Sequence, residues 1–342
     1  MNENLYDKGL FVISLDFELN WGVRDQQSLE VYGKNILGVR EVVPALLKIF
    51  DRFDVRATWA TVGLLFFGNQ EEMLSNLPEV KPNYSNSILS PYLDILKVGK
   101  SEEDDPYHFG KSLITLILKY PKQELASHTF SHYYCLESGQ TANDFKCDLN
   151  TAISVANRIG VHLRSIVFPR NQINNEYIPL CKQAGFTSYR GNEVSWIYNK
   201  KKEEEESMLK RGARLLDAYL NLSGHNCYEL KNIATSFPYN IPASRFLRPV
   251  SNSFKIFEDL RVKRIKAAMT YAAKYKKVFH LWWHPHNFGG NLPDNMLFLD
   301  EILAHFKQLQ NDYGMVSRSM GEIADFLIDQ NNGKKDCYLS NC

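Results

Sequence analysis

This sequence predicts an α/β fold with a mostly parallel sheet closed into a barrel, on two observations. Short apolar runs of strand length alternate with longer helical patterns along most of the 342 residues, the rhythm of repeated βα units. Several of those runs end in side chains that bear chemistry, and the carboxyl ends of strands are where parallel α/β architectures place their sites.

The run Leu10-Phe-Val-Ile-Ser-Leu predicts a first strand over 12–15, and an amphipathic helix carrying Pro44 is expected over 35–53. A second strand reads Arg56-Ala-Thr-Trp-Ala-Thr-Val-Gly63; further strands are expected at 124–127, 165–168, 186–189 and 278–283. Helical patterns lie at 142–159, 177–184 and 260–276, followed by a helix at 295–312, a short Gly314-Met-Val-Ser strand and a helical run over 320–327. Two stretches break the rhythm. Residues from about 75 to 105 are rich in Pro, Asn, Ser and acidic side chains, and 200–249 opens on Lys200-Lys-Lys-Glu-Glu-Glu-Glu206. Both are read as insertions into a single domain spanning 1–330, the charge run as a solvated helix start. Residues 331–342 form a polar tail expected to be disordered.

Composition narrows the functional classes. Hydrophobic residues at 44% support a sizeable core, and 40 basic against 39 acidic side chains leave a formal net charge of +1. That balance argues against wholesale binding of nucleic acid or a membrane surface. No apolar stretch is long enough to span a bilayer. The N-terminus lacks a basic segment followed by a secretory hydrophobic one, so the cytoplasm is the expected compartment. The six cysteines are scattered without Cys-x-x-Cys and are expected to be reduced. The sequence holds no signal for an oligomeric state.

The chemistry gathers at the strand ends. The first strand runs into Asp16-Phe-Glu18, and residues two apart on a strand share a face. His128 and His132, in Ser127-His-Thr-Phe-Ser-His132, are four apart after another strand; on a helical turn they project together onto one metal. Together these four side chains offer two nitrogens and a carboxylate to a divalent cation, with one carboxylate left as a base. With nine histidines a chance pair at this spacing is common, so the context decides: a preceding strand, and Ser127, Thr129 and Ser131 as small polar supports. Phe279-His-Leu-Trp-Trp-His-Pro-His286 brings His284 and His286 to a strand end. One is a general acid and the other a holder of backbone or substrate hydroxyl; His284 is chosen as acid because it is the first polar residue past the strand. His280, inside the run, reads as a satisfied core histidine. Val167-Phe-Pro-Arg-Asn171 offers Arg170 to orient a carboxylate, with a surface role equally open. Glu193 and Trp196 follow a fifth strand. Five such ends converge on a metal-assisted hydrolase site.

The same residues resemble the polysaccharide deacetylases, the carbohydrate esterases that share the NodB-homology domain. Ser14-Leu-Asp-Phe-Glu18 looks like a variant of their opening Thr-Phe-Asp-Asp motif, and Ala57-Thr-Trp-Ala-Thr-Val-Gly63 like their Ala-Thr-Phe-Phe-x-x-Gly strand. His128-Thr-Phe-Ser-His132 matches their His-[Ser/Thr]-x-x-His, the most specific piece, and Leu281-Trp-Trp-His284 is similar to their late Leu-x-x-His. The resemblance spans roughly residues 8 to 325 outside the two insertions. It implies an irregular (β/α)7-type barrel, with Asp16 as base, Glu18, His128 and His132 as metal ligands, and His284 as acid. Arg170 would tune the base and Glu193 the acid. The implied cofactor is a divalent metal, Zn2+ first, with Co2+, Mn2+ and Ni2+ as alternatives. Three positions depart from the pattern: Glu18 replaces the usual aspartate and its extra methylene shifts the metal or abolishes its binding, Phe168-Pro-Arg-Asn scrambles an Arg-x-Pro order, and Glu193 stands loosely where an aspartate is usual.

The expected reaction is removal of an N-acetyl or similar N-acyl group from an amino sugar of a polysaccharide or its precursor. Trp21, Trp196, Trp282, Trp283 or Tyr133 would wall the sugar ring, with Asn171 and His286 as further substrate contacts. The rivals are a glycosidase using Asp16 and Glu18 as its acid pair, a metal-independent amide hydrolase on the same barrel, and a non-catalytic glycan-binding protein.

Overall fold

The structure, a computed structural model, describes residues 4–195, 208–251 and 256–339. The sheet is built from β1 (Leu10–Phe17), β2 (Ala57–Thr61), β3 (Gln123–Ser127), β4 (Ser165–Ile166), β5 (Ser188–Tyr189), β6 (Tyr228–Glu229), β7 (Tyr239–Asn240), β8 (Arg245–Phe246), β9 (Lys277–Trp283) and β10 (Val316–Ser317). Their order is β6-β9-β1-β2-β3-β4-β5-β7, with β10 against β1 and β8 against β9. Every pairing is parallel except β6 with β9.

The sheet is curled, as the expected irregular (β/α)7 barrel requires. Four strand-to-strand steps separate β1 from β5, about 19 Å if the sheet were flat, yet Arg190 just past β5 touches Asp16 of β1 at 2.6 Å. Residues 241–244, between β7 and β8, bridge the remaining gap. The amides of Ile241 and Ala243 donate to Tyr189 and Gly191, and that of Ser244 donates to His280 of β9.

Strand β1 is buried at every position, the mark of a strand covered on both faces. Phe11, Ile13, Leu15 and Phe17 pack into the main core with Val43, Leu47 and Phe50 of the helix Val39–Phe53 and with Leu299 and Phe306 of the helix Leu292–Tyr313. The alternate residues Ser14 and Asp16 meet Arg190, with His280 also on Ser14, so the interior of the curl is polar. The helix expected over 35–53 is broken at Gly38 into Leu29–Leu37 and Val39–Phe53. A Cβ at Gly38 would lie 2.4 Å from the backbone of Gly289, so the break sits where two backbones meet.

The segment expected as a second insertion contributes β6, β7 and β8 to the sheet. Two-residue strands have no periodicity to read, so only pairing reveals them. The charge run Lys200 to Glu206 lies outside the described residues. The last helix runs Met320–Leu339, through most of the residues expected as a tail. Among the described residues no helix is long and apolar enough to cross a membrane.

Candidate metal centre and active site

All the candidate groups sit at the carboxyl ends of parallel strands: Asp16 and Glu18 at β1, His128 and His132 past β3, Arg170 and Asn171 past β4, Arg190 and Glu193 past β5, His284 and His286 past β9. Asp16, Glu18, His132, Arg170, Asn171, His284 and His286 line a cleft of about 710 Å³ together with Trp282, and His128, Arg190 and Glu193 lie behind its walls.

Glu18 is the hub. Its Oε2 lies 3.3 Å from His128 Nε2 and 3.2 Å from His132 Nε2, and its Oε1 lies 3.0 Å from His286 Nε2 and 3.7 Å from His284 Nε2. Burial alone would raise its carboxyl, but His284, which is charged only at low pH, and the contacts with His128, His132 and His286 hold it well below the usual carboxylate range. His128 Nδ1 sits 2.9 Å from the Val167 carbonyl, where it donates, and this turns Nε2 toward Glu18. That buried Nε2 has no hydrogen-bond partner. An unprotonated Nε2 there would face the Glu18 carboxylate across a space that a cation could fill. Two sets bring one oxygen and two nitrogens within 4.8 Å of one another, Glu18 with His128 and His132 and Glu18 with His284 and His286; the first is buried throughout and includes the unpartnered His128 Nε2, a donor set suited to Zn2+ and its neighbours. The residues therefore fit a divalent cation.

Each ligand has outer support. His132 Nδ1 lies 3.2 Å from the Tyr134 hydroxyl, which reaches Asp25 at 3.4 Å, and Asp25 is ion-paired with Arg170. Burial lowers the His132 pKa against the pull of Glu18, which favours the neutral ring that a metal ligand needs. The expected helical turn for His128 and His132 is not formed. The loop past β3 is irregular, with positive φ at Thr129 (61°) and His132 (56°). The buried carboxylate of Asp148 replaces the helical bonds by accepting the amides of Phe130 at 2.6 Å and Ser131 at 3.1 Å, together with the Ser131 hydroxyl. Positive φ recurs at Leu19, Arg170 and Asn171, so backbone strain is concentrated around the cleft.

The guanidinium on Asp16 is that of Arg190, which sequence reasoning passed over. Its Nη1 and Nη2 grip Asp16 at 2.6 and 2.8 Å, and it also holds Ser14 at 3.0 Å and Asn171 Oδ1 at 2.9 Å. Burial would raise the Asp16 carboxyl, but Arg190, aided by His128 and His284, lowers it below its ordinary value. Arg170, expected to tune the base, instead pairs with Asp25 at 2.6 Å and stacks over Tyr134. The Arg190 signal was available: it is the first polar residue past its strand, the criterion that selected His284.

His284 Nε2 lies 3.6 Å from Asp16 Oδ2. Burial brings its pKa down to about 4 against the pull of Glu18 and Asp16, so the ring is neutral at neutral pH. Glu193, expected to tune that acid, is buried and accepts the Trp282 indole N–H at 3.4 Å. Burial raises its carboxyl. His280 is a satisfied core histidine, between the Ile241 carbonyl and the Ser14 hydroxyl.

Of the expected substrate contacts, Trp21 is buried and donates to the His108 carbonyl, so it packs beneath the site. Trp196 lies outside the described residues. Trp282 does line the cleft, beside Phe246. Asn171 lines it too, while its side chain holds Arg190. His286 holds Glu18. The amides of Asn171 and Gln172 donate to Phe168 and Pro169 within their own turn.

Fold and site together define a curled parallel α/β barrel with a carboxylate and two imidazoles poised at its mouth. No protein-family model matches the sequence, and no curated protein does. Solved structures do. A protein designated a polysaccharide deacetylase in Mycobacterium smegmatis superposes with a TM-score of 0.59 at 15% identity, covering 95% of this chain and 92% of that one. One similarly designated in Pseudomonas aeruginosa PAO1 gives 0.56 at 12%, covering 94% and 91%. The Puue allantoinase gives 0.51 at 10%, covering 93% and 89%. The chain has the fold of the polysaccharide deacetylases.

Proposed function

We propose that the protein is a metal-dependent hydrolase that removes an N-acetyl or similar N-acyl group from an amino sugar. The observation that supports this most is the meeting of Glu18, His128 and His132 at 3.2 and 3.3 Å beside an Arg190-held Asp16, in one open cleft. When bound there, a divalent cation supplies Lewis acidity, polarising the acyl carbonyl and lowering the pKa of a neighbouring water. Glu18, His128 and His132 would hold it, with Zn2+ the first choice for such a donor set.

The chain's own residues do the rest. Arg190 keeps Asp16 ionised, so the carboxylate can take a proton from the attacking water as its oxygen bonds to the acyl carbon. His284 begins neutral, 3.6 Å from Asp16 Oδ2. It receives that proton and delivers it to the sugar nitrogen as the C–N bond breaks, releasing the amine and the carboxylate of the acyl group. Trp282 and Phe246 supply an apolar wall for a sugar ring. The substrate is taken as a glycan or glycan precursor that carries the N-acyl group.

The test is metal analysis of the purified protein, joined to a screen for acetate and formate release from N-acylated sugars and their lipid or nucleotide carriers. Bound metal with chelator-sensitive release supports the reading. Release that survives full metal removal would transfer the protein to the metal-independent amide hydrolases, and sugar binding without any release to the non-catalytic glycan binders.

A further inference from the structure

We propose that His286 and Tyr32 are positioning residues that fit this centre to a glutamate ligand, and that Gly22 is the clearance that admits it. The inference rests on the metal-site reading above. A glutamate carries one more rotatable bond than an aspartate, so a carboxylate offered to a cation on one oxygen must be fixed through the other. Glu18 turns Oε2 toward His128 and His132. Its Oε1 is met at 3.0 Å by Nε2 of His286, a residue only 4% exposed. The far nitrogen of that ring lies 2.9 Å from the Tyr32 hydroxyl, which itself donates to Asn287 Oδ1 at 3.1 Å. The imidazole is thus held at both ends, and through Nε2 it fixes where Oε1 lies.

Gly22 closes the opposite side. The turn Leu19–Gly22 folds back on Glu18, and a Cβ at Gly22 would fall 2.0 Å from Glu18 Cδ and 2.2 Å from Oε1. The carboxylate occupies the space that a side chain at position 22 would need. An aspartate at position 18 would draw the carboxylate back by about one C–C bond, ~1.5 Å. It could then not meet His128 and His132 on one side while touching His286 on the other. The residue usual at this position in the resembling family would therefore be the wrong one for this chain.

The experiment is titration of metal-free full-length protein with Co2+, reading affinity and the visible absorption of the bound ion, for wild type, H286A, H286Q, Y32F, E18D and G22A. Loss of such outer support weakens metal binding by about 10–100-fold, and that is the expected effect of H286A, with a changed spectrum. Y32F should move both readouts less, in the same direction, and H286Q should recover part of the affinity. E18D should weaken binding, and G22A should do so if it folds; thermal melting of the metal-free proteins separates misfolding from lost positioning. Wild-type affinity and spectrum in both H286A and E18D would overturn the proposal while leaving the metal site intact. Failure of the wild type to bind Co2+ would overturn the metal site, and this inference with it.

Discussion

Replacing Arg190 by methionine keeps an unbranched side chain of similar length in the barrel but leaves the Asp16 carboxylate buried with no guanidinium. Arg190 is 1% exposed and makes four hydrogen bonds, two of them to Asp16 at 2.6 and 2.8 Å. Removing one partner of a buried pair costs about 3–5 kcal/mol, because the remaining charge has lost both water and counter-charge. The sign with pH follows from the two opposing influences on Asp16. In the wild type its folded pKa lies below 3.8, so its contribution to stability is present above the unfolded value and is lost as pH falls through the folded one. Without Arg190, burial dominates and the folded pKa moves above the unfolded value. Stability then falls as pH rises through that interval, by about 1.4 kcal/mol for every tenfold gain in the carboxylate's proton affinity. Urea denaturation of metal-free wild type, R190M, D16N and the double variant at several pH values measures this directly. R190M should lose several kcal/mol at neutral pH, recover part of it on acidification, and lose far less when Asp16 is already Asn. A loss below about 1 kcal/mol at every pH, with no coupling to D16N, would refute the assignment of Arg190 as the group that keeps Asp16 charged.

Three further outcomes follow from the same geometry. D16N should retain metal by elemental analysis yet lose turnover by about 10²–10⁴-fold, the usual worth of a positioned base; activity near wild type in an acyl-release assay would remove Asp16 from that role. Asp148, whose pKa burial pushes up to about 6, makes stability fall as pH rises from about 4 to 6. D148N should flatten that segment of the denaturation profile and also loosen the loop that holds His128 and His132, which hydrogen exchange at the Phe130 and Ser131 amides would report. His284 has its folded pKa depressed to about 4, so its own contribution to the stability of metal-free protein is lost as pH falls from about 6.5 toward 4, opposite in sign to that of Asp148. H284A should weaken that acid-side loss, leaving the share of His132 and His280, and, if the ring relays the proton, lose turnover while keeping its metal.

How much of the site could be read beforehand varies residue by residue. Asp16, Glu18, His128, His132 and His284 were legible because each stands in or just past a strand whose apolar run is itself visible, and they line up once parallel pairing is assumed. Trp21 misled because indoles at turns pack as often as they face ligands; here the turn Leu19–Gly22 carries it under the site, where it donates to His108. Arg170 misled through its order around Pro169. With φ of 53° its backbone takes the left-handed region, and its side chain pairs with Asp25. The strands β6 to β8 left no trace, being two residues long within a polar segment.

The sequence by itself determined the α/β class and the side chains able to grip a cation, since alternation of apolar runs and chemistry at their ends are local properties of the chain. Only the tertiary structure decided which charge answers which. Arg190 and Asp16, and His286 and Glu18, are 174 and 268 residues apart. They meet because the sheet curls until its distant strand ends face one another across a buried space, where an unmatched charge is too costly to persist.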